Sequence, residues 1–60
     1  MRLKEAREKQ GLTQKQVSEL SKVTEVAYQR YEHGKRKPSA TTAIAIAKAL
    51  NSTVEELWGE

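Results

Sequence analysis

The residues of this chain best suited to specific recognition lie close together, between positions 24 and 37. The Arg30 guanidinium can donate two hydrogen bonds to O6 and N7 of a guanine, although an arginine there could instead bind a phosphate or remain solvated. Gln29 could pair with an adenine or contact the DNA backbone. Three consecutive cations, Lys35, Arg36 and Lys37, could equally form a solvated loop, but we expect them to neutralise phosphates. Such a combination is typical of a surface that binds duplex DNA.

Gln29 and Arg30 share one face of a helix that we predict from Glu25 to His33, and the three cations follow that helix. In such a helix positions 25, 26, 29, 30 and 33 lie on one side, and 27, 28 and 31 turn inward. Val26 could make apolar contact with a thymine methyl group. Phosphates repel a carboxylate, so Glu25 either accepts from a cytosine amino group or pairs with Lys22 or Arg30. We favour the pairing, which would be structural.

A second predicted helix, from Gln14 to Ser21, precedes this one after a turn of about three residues. Thr13 can cap its start, and a glutamine three residues later completes a capping box. Thr24 can cap the following helix and also offer its hydroxyl to a phosphate. Gly34 can end that helix in a left-handed conformation. The pattern predicts a helix-turn-helix, in which the second helix enters the major groove and the first crosses the phosphate backbone.

Three further helices complete the predicted fold, and no strand-like alternation occurs in the sequence. The first should run from about Arg2 to Gln10, and a fourth should begin after Ser39. Thr53 and Glu56 form another capping box that opens a short fifth helix. The fourth helix should bury a stripe at three- and four-residue spacing, which consists of Ala40, Ala43, Ile44, Ala47 and Leu50, widened by Ile46. We therefore expect one all-α, five-helix domain over residues 1–60.

Charge and composition reduce the number of functions that the chain could have. The chain has 60 residues and a net charge of +3, with ten Lys and Arg against five Glu in residues 1–37 but one Lys against three Glu in residues 38–60. The basic excess thus accompanies the helix-turn-helix. With no cysteine, no aspartate and a single histidine, we expect no enzyme, metal site, cofactor or small-molecule substrate. No segment is long and apolar enough to suggest a membrane span or a signal peptide, so we expect a cytoplasmic location.

Nearly the whole chain resembles the phage-repressor and Cro-like helix-turn-helix proteins, also called the xenobiotic-response-element type. The motifs that carry the resemblance include Gly11-Leu12-Thr13-Gln14, Val23-Thr24, Tyr31-Glu32-His33-Gly34, Lys37-Pro38-Ser39, Ile46-Ala47-Lys48-Ala49-Leu50 and Val54-Glu55-Glu56-Leu57. The sequence departs from the family pattern at Lys22, where glycine is usual in the turn, and at Tyr28, where an aliphatic residue is common. Lys22 should adopt a left-handed conformation at a cost of about 1 kcal/mol. Tyr28 could place its ring in the core and its hydroxyl at the DNA backbone.

The resemblance implies a role for particular residues. Base contacts fall on Glu25, Val26 and Arg30, and a phosphate contact falls on Gln14, where free helix amides also favour an anion. Arg7 and Glu32 correspond to an ion pair that links the first helix to the end of the reading helix.

The resemblance also implies a DNA-binding regulator, and we expect a repressor that binds a palindromic operator as a homodimer. Because one reading helix covers only a few base pairs, two copies are needed for selectivity. The candidate dimer contacts are apolar residues of the last helix, Val54, Leu57 and Trp58; Trp58 could instead close the core, and we favour the core for Leu57. The alternative is a protein-interaction module such as an antitoxin or adaptor built on the same fold.

Overall fold

The computed structural model describes residues 1–59, and within them every regular element is a helix. The predicted all-α, five-helix architecture is confirmed. Both ends of the first helix lie one residue inside the predicted bounds, and the third helix stops one residue earlier than predicted, which is the usual uncertainty of helix ends. The helices are α1 (Leu3–Lys9), α2 (Gln14–Ser21), α3 (Glu25–Glu32), α4 (Ala40–Ala49) and α5 (Val54–Trp58).

A hydroxyl side chain caps the start of each helix from α2 to α5. At α2, Thr13 Oγ1 accepts from the Gln16 N–H at 3.0 Å, and Gln16 Oε1 accepts from the Thr13 N–H at 2.8 Å. Thr53 and Glu56 make the same reciprocal pair at α5, at 3.1 and 3.2 Å. Both predicted capping boxes are present. Because they satisfy backbone groups that a helix leaves unpaired, they fix where each helix begins.

Left-handed residues end both helices of the helix-turn-helix. Lys22 has a φ of 59°, and Gly34 has a φ of 71°. After each of them the chain closes back on its helix, since the Val23 N–H donates to the Ser18 carbonyl at 3.0 Å and the Lys35 N–H donates to the Arg30 carbonyl at 3.0 Å. Glycine adopts this conformation freely, whereas the lysine does so at a cost of about 1 kcal/mol. The turn between α2 and α3 therefore keeps its shape without a glycine.

One hydrophobic core joins all five helices. α2 packs mainly against α4 and α3, while α1 contacts α3 and α5. The Arg2 N–H also donates to the Leu57 carbonyl at 3.0 Å, which ties the start of α1 to the end of α5. α3 is thus held by α2 on one side and by α1 on another. The core consists of Leu3, Val17, Tyr28, Tyr31, Ile46, Ala47, Leu50 and Leu57.

The buried side of α4 differs from the predicted stripe. Ile44 is 49% exposed, whereas Ile46 is fully buried. Ala40, predicted to be in the stripe, is also exposed. Two residues along a helix are about 200° apart around its axis, so Ile44 and Ile46 cannot both face the centre of the same core. Packing against α2 selects Ile46, together with Ala43, Ala47 and Leu50.

Candidate nucleic-acid interface

The outer side of α3 presents side chains with different hydrogen-bonding capacities. Val26 is 57% exposed, and Glu25 and Arg30 are also exposed. Gln29 is half-buried between them and the core. The two tyrosines of α3 are buried on its inner side. The helix therefore offers an acceptor, an apolar group, an amide and a guanidinium on one face, and we call these four residues the reading face.

At the start of α3, the Thr24 hydroxyl serves the helix and remains available to a ligand. Its Oγ1 accepts from the Ala27 N–H at 3.1 Å, and the residue is exposed. A hydroxyl has one hydrogen to donate in addition to its lone pairs. Thr24 can therefore cap the helix and donate to a phosphate simultaneously.

The start of α2 lies beside the end of α3, because Gln14 reaches the Glu32 carboxylate. Gln14 Nε2 donates to Glu32 Oε1 at 3.1 Å. The amide carries two hydrogens, so one of them remains free. The first backbone N–H groups of α2 have no acceptor within the helix. These groups together form a small donor site that suits an anion.

Glu32 is also paired with Arg7, across the contact between α1 and α3. Arg7 Nε lies 2.6 Å from Glu32 Oε2, and Arg7 Nη1 donates to the Leu12 carbonyl at 2.9 Å. The Glu32 side chain is 4% exposed and the Arg7 side chain 13%. The Glu32 carboxylate thus connects α1, α2 and α3. We call Glu32, together with Arg7 and Gln14 that bind it, the anchor of the helix-turn-helix.

The charges of this anchor affect each other's ionisation. The hydrogen bond to Glu32 raises the pKa of Arg7. Burial acts to raise the pKa of Glu32, but the hydrogen bonds from Arg7 and Gln14, together with the nearby Tyr28 hydroxyl, outweigh it, and the pKa of Glu32 is lowered. Burial, followed by the neighbouring Glu32 carboxylate, raises the pKa of the Tyr28 hydroxyl. Glu32 is therefore held as an anion and Tyr28 as a neutral phenol.

The lowered pKa of Glu32 predicts a loss of stability in acid. A carboxyl group whose pKa is lower in the folded state stabilises the fold above its ordinary pKa of 4.5, and this contribution is lost as the pH falls through the folded-state pKa. Denaturant titrations from neutral pH to about pH 2 would measure the effect. In the Glu32→Gln variant residue 32 cannot ionise, so the free energy of unfolding should fall less as the pH is lowered. Parallel curves for the two proteins would contradict the prediction.

The basic loop, residues 35–37, follows α3 directly. Lys35, Arg36 and Lys37 are all exposed. The left-handed Gly34 turns the chain at the end of α3, so the three cations begin within a few residues of the reading face. The reading face is thus bordered by positive charge at its C-terminal end and by Thr24 at its N-terminal end.

Two side chains in this region are placed differently from the favoured sequence interpretation. The structural role for Glu25 required a partner, but among residues 1–59 Glu25 makes no ion pair with Lys22 or Arg30, and all three residues are exposed. Tyr28 is fully buried, and its hydroxyl has no hydrogen-bond partner of its own. The hydroxyl lies next to the Arg7 and Glu32 anchor, so it does not reach a DNA backbone.

The last helix corrects one of the proposed dimer contacts. Leu57 is 1% exposed and belongs to the core, because α5 packs that side of the helix against α1 and α4. Trp58 is half-buried and packs on the edge of the core. Val54 is 36% exposed. Only Val54 and the open part of Trp58 offer apolar surface on α5 to a second copy.

Sequence reasoning did not find the hydrogen bond between Gln14 and Glu32. The two residues are 18 positions apart, so no local spacing pattern relates them. The hydrogen bond from Arg7 to the Leu12 carbonyl was also not predicted, because it depends on how the loop between α1 and α2 folds back. The resemblance implied the ion pair between Arg7 and Glu32, which the structure contains, but it gave Gln14 only a phosphate contact and did not relate it to Glu32.

Neither a metal cluster nor a membrane helix is found in the described part of the chain. No three His, Asp or Glu side chains within it are grouped to hold a metal ion. None of its helices combines the length and hydrophobicity needed to cross a membrane.

Comparison with known proteins gives one match. A family model described as helix-turn-helix matches residues 3–57, which include all five helices except the last residue of α5. Searches of curated proteins and of solved structures gave no significant match.

Proposed function

This chain belongs to the helix-turn-helix family of the Cro and C1 type and is therefore a DNA-binding regulator, and from this premise we propose that it represses transcription as a dimer on a palindromic operator. The observation that carries the proposal is the reading face. Its side chains are charged, apolar and polar; Glu25, Val26 and Arg30 are exposed and Gln29 is half-buried, on a helix whose other side is fixed in the core. When bound to its operator, the protein would block access to a promoter.

In this proposal α3 lies in the major groove and its exposed residues contact base edges. Arg30 donates to a guanine, Val26 contacts a thymine methyl group, and Gln29 is close enough to the same face to reach an adenine. These residues belong to one helix, so they approach successive base pairs of one groove.

Phosphate contacts hold α3 in place on both sides of the groove. Gln14 and the free amides of α2 suit one phosphate, and Thr24 suits another. The basic loop, residues 35–37, neutralises the backbone beyond the end of α3. Arg7 is paired with Glu32, whose other oxygen accepts from Gln14, so this ion pair positions Gln14 without adding net charge beside it.

Salt dependence tests this function against the protein-interaction alternative. Binding to a duplex should weaken steeply as salt rises, because each neutralised phosphate releases condensed counterions. Titration of labelled random and selected duplexes at several salt concentrations would measure the slope. Binding that is absent, or that shows no preferred sequence and little salt dependence, would contradict the proposal and favour a protein partner.

A dimer on DNA should protect two half-sites related by a twofold axis and roughly 34 Å apart. Val54 and the open part of Trp58 would form the contact, so the interface is small and would be completed on the operator. Footprinting should show an inverted repeat, and Val54→Lys should reduce cooperative filling of its halves while leaving binding to one isolated half-site unchanged. Protection of a single half-site by a monomer would rule out the dimer.

A further inference from the structure

Glu25 is the one acidic residue on the reading face, and the chain gives it no partner among the described residues. It is exposed and makes no ion pair with Lys22, Arg30 or any other cation of residues 1–59. It is also not needed to cap α3, because Thr24 supplies the cap through the Ala27 N–H. The carboxylate is therefore free to meet whatever α3 binds.

We infer that Glu25 selects a cytosine in the operator, an inference that rests on the proposed function. An ionised carboxylate can only accept hydrogen bonds. In the major groove, guanine offers the acceptors O6 and N7, and thymine offers the acceptor O4, so both repel it. Adenine offers a donor beside the acceptor N7, whereas cytosine offers the N4 amino group with no neighbouring acceptor on the same base. Cytosine is thus the base edge that fits.

The position of Glu25 supports this assignment. It is the first residue of α3, and the N-terminal residues of a recognition helix are the ones that contact base edges. Arg30 lies five residues further on, about 7.5 Å along the axis, or roughly two base-pair steps. Glu25 and Arg30 therefore address different base pairs, so the cytosine that we assign to Glu25 is separate from the guanine assigned to Arg30.

The same carboxylate should lower affinity for every other sequence. Phosphates repel it, and only a cytosine amino group offsets this cost at the bound site. Glu25 would then act by rejecting wrong sequences as well as by favouring the right one. A carboxylate in the first turn also stabilises a helix through its dipole, but that effect is independent of the DNA sequence.

Selection from random duplexes would test the inference. Sites selected by the natural protein should contain a C·G pair at one position that Glu25→Gln no longer requires, while preferences at the other positions remain. Replacing that pair by T·A should weaken the natural protein about tenfold, and the Glu25→Gln variant much less. The variant should also bind unrelated duplexes more tightly than the natural protein does.

Glu5→Gln provides the matched control, because Glu5 is an exposed acidic residue in the first turn of another helix. This variant has the same change of charge and should keep the C·G preference. If Glu25→Gln keeps it too, and binds all duplexes more tightly or equally, the carboxylate only repels phosphates or stabilises α3, and the inference is wrong. If the natural protein selects no sequence at all, the proposed function fails, and the inference fails with it.

Discussion

Replacing Glu32 by alanine should destabilise the fold by about 2–3 kcal/mol, because removing one partner of a buried ion pair leaves the other charge without compensation. We place the effect below the full cost for a buried pair because Arg7 keeps some contact with solvent. The variant also leaves Gln14 without its acceptor, so binding to DNA should weaken as well. For a domain of this size such a loss is a large part of the total stability. Denaturant unfolding at neutral pH would measure it.

Tyr28→Phe is the control for this experiment. It changes a neighbour of the same anchor, but the Tyr28 hydroxyl has no hydrogen-bond partner of its own, so its removal leaves no other group unpaired and should not lower the free energy of unfolding by more than about 0.5 kcal/mol. A Glu32→Ala variant that is also within about 0.5 kcal/mol of the natural protein would show that the ion pair makes no net contribution.

Replacing Arg30 by alanine should cost about 1–3 kcal/mol of binding to the preferred operator, because a bidentate contact to guanine is lost. Binding to unrelated DNA should change little, since Arg30 is proposed to read a base and not to neutralise a phosphate. The side chain is exposed and unpaired among residues 1–59, so the fold should not be affected. Competition of operator and random duplexes for each protein would separate specific from nonspecific loss.

Lys37→Ala provides the contrast. It removes a cation from the exposed loop after α3, so it should weaken all sequences alike and reduce the salt slope by about one unit. Equal loss on both DNAs in Arg30→Ala would make Arg30 another phosphate contact. An unchanged slope in Lys37→Ala would place Lys37 outside the interface.

The sequence by itself determined where helices α2 to α5 begin. Thr13 with Gln16, and Thr53 with Glu56, interact within three residues, so their hydrogen bonds depend on local backbone alone. The left-handed conformation at Gly34 is local in the same way. The helical period also separated the exposed side of α3 from its buried tyrosines, since which residues share a face follows from helix geometry.

The tertiary structure decided what depends on how distant helices are rotated and packed. Ile46 and not Ile44 enters the core, and Leu57 is unavailable to a second subunit. The meeting of Gln14 with Glu32 joins residues far apart in sequence and needs the observed placement of α2 against α3. A hydrophobic period gives the relative directions of side chains on one helix, but the absolute rotation of that helix is set by the surfaces it packs against.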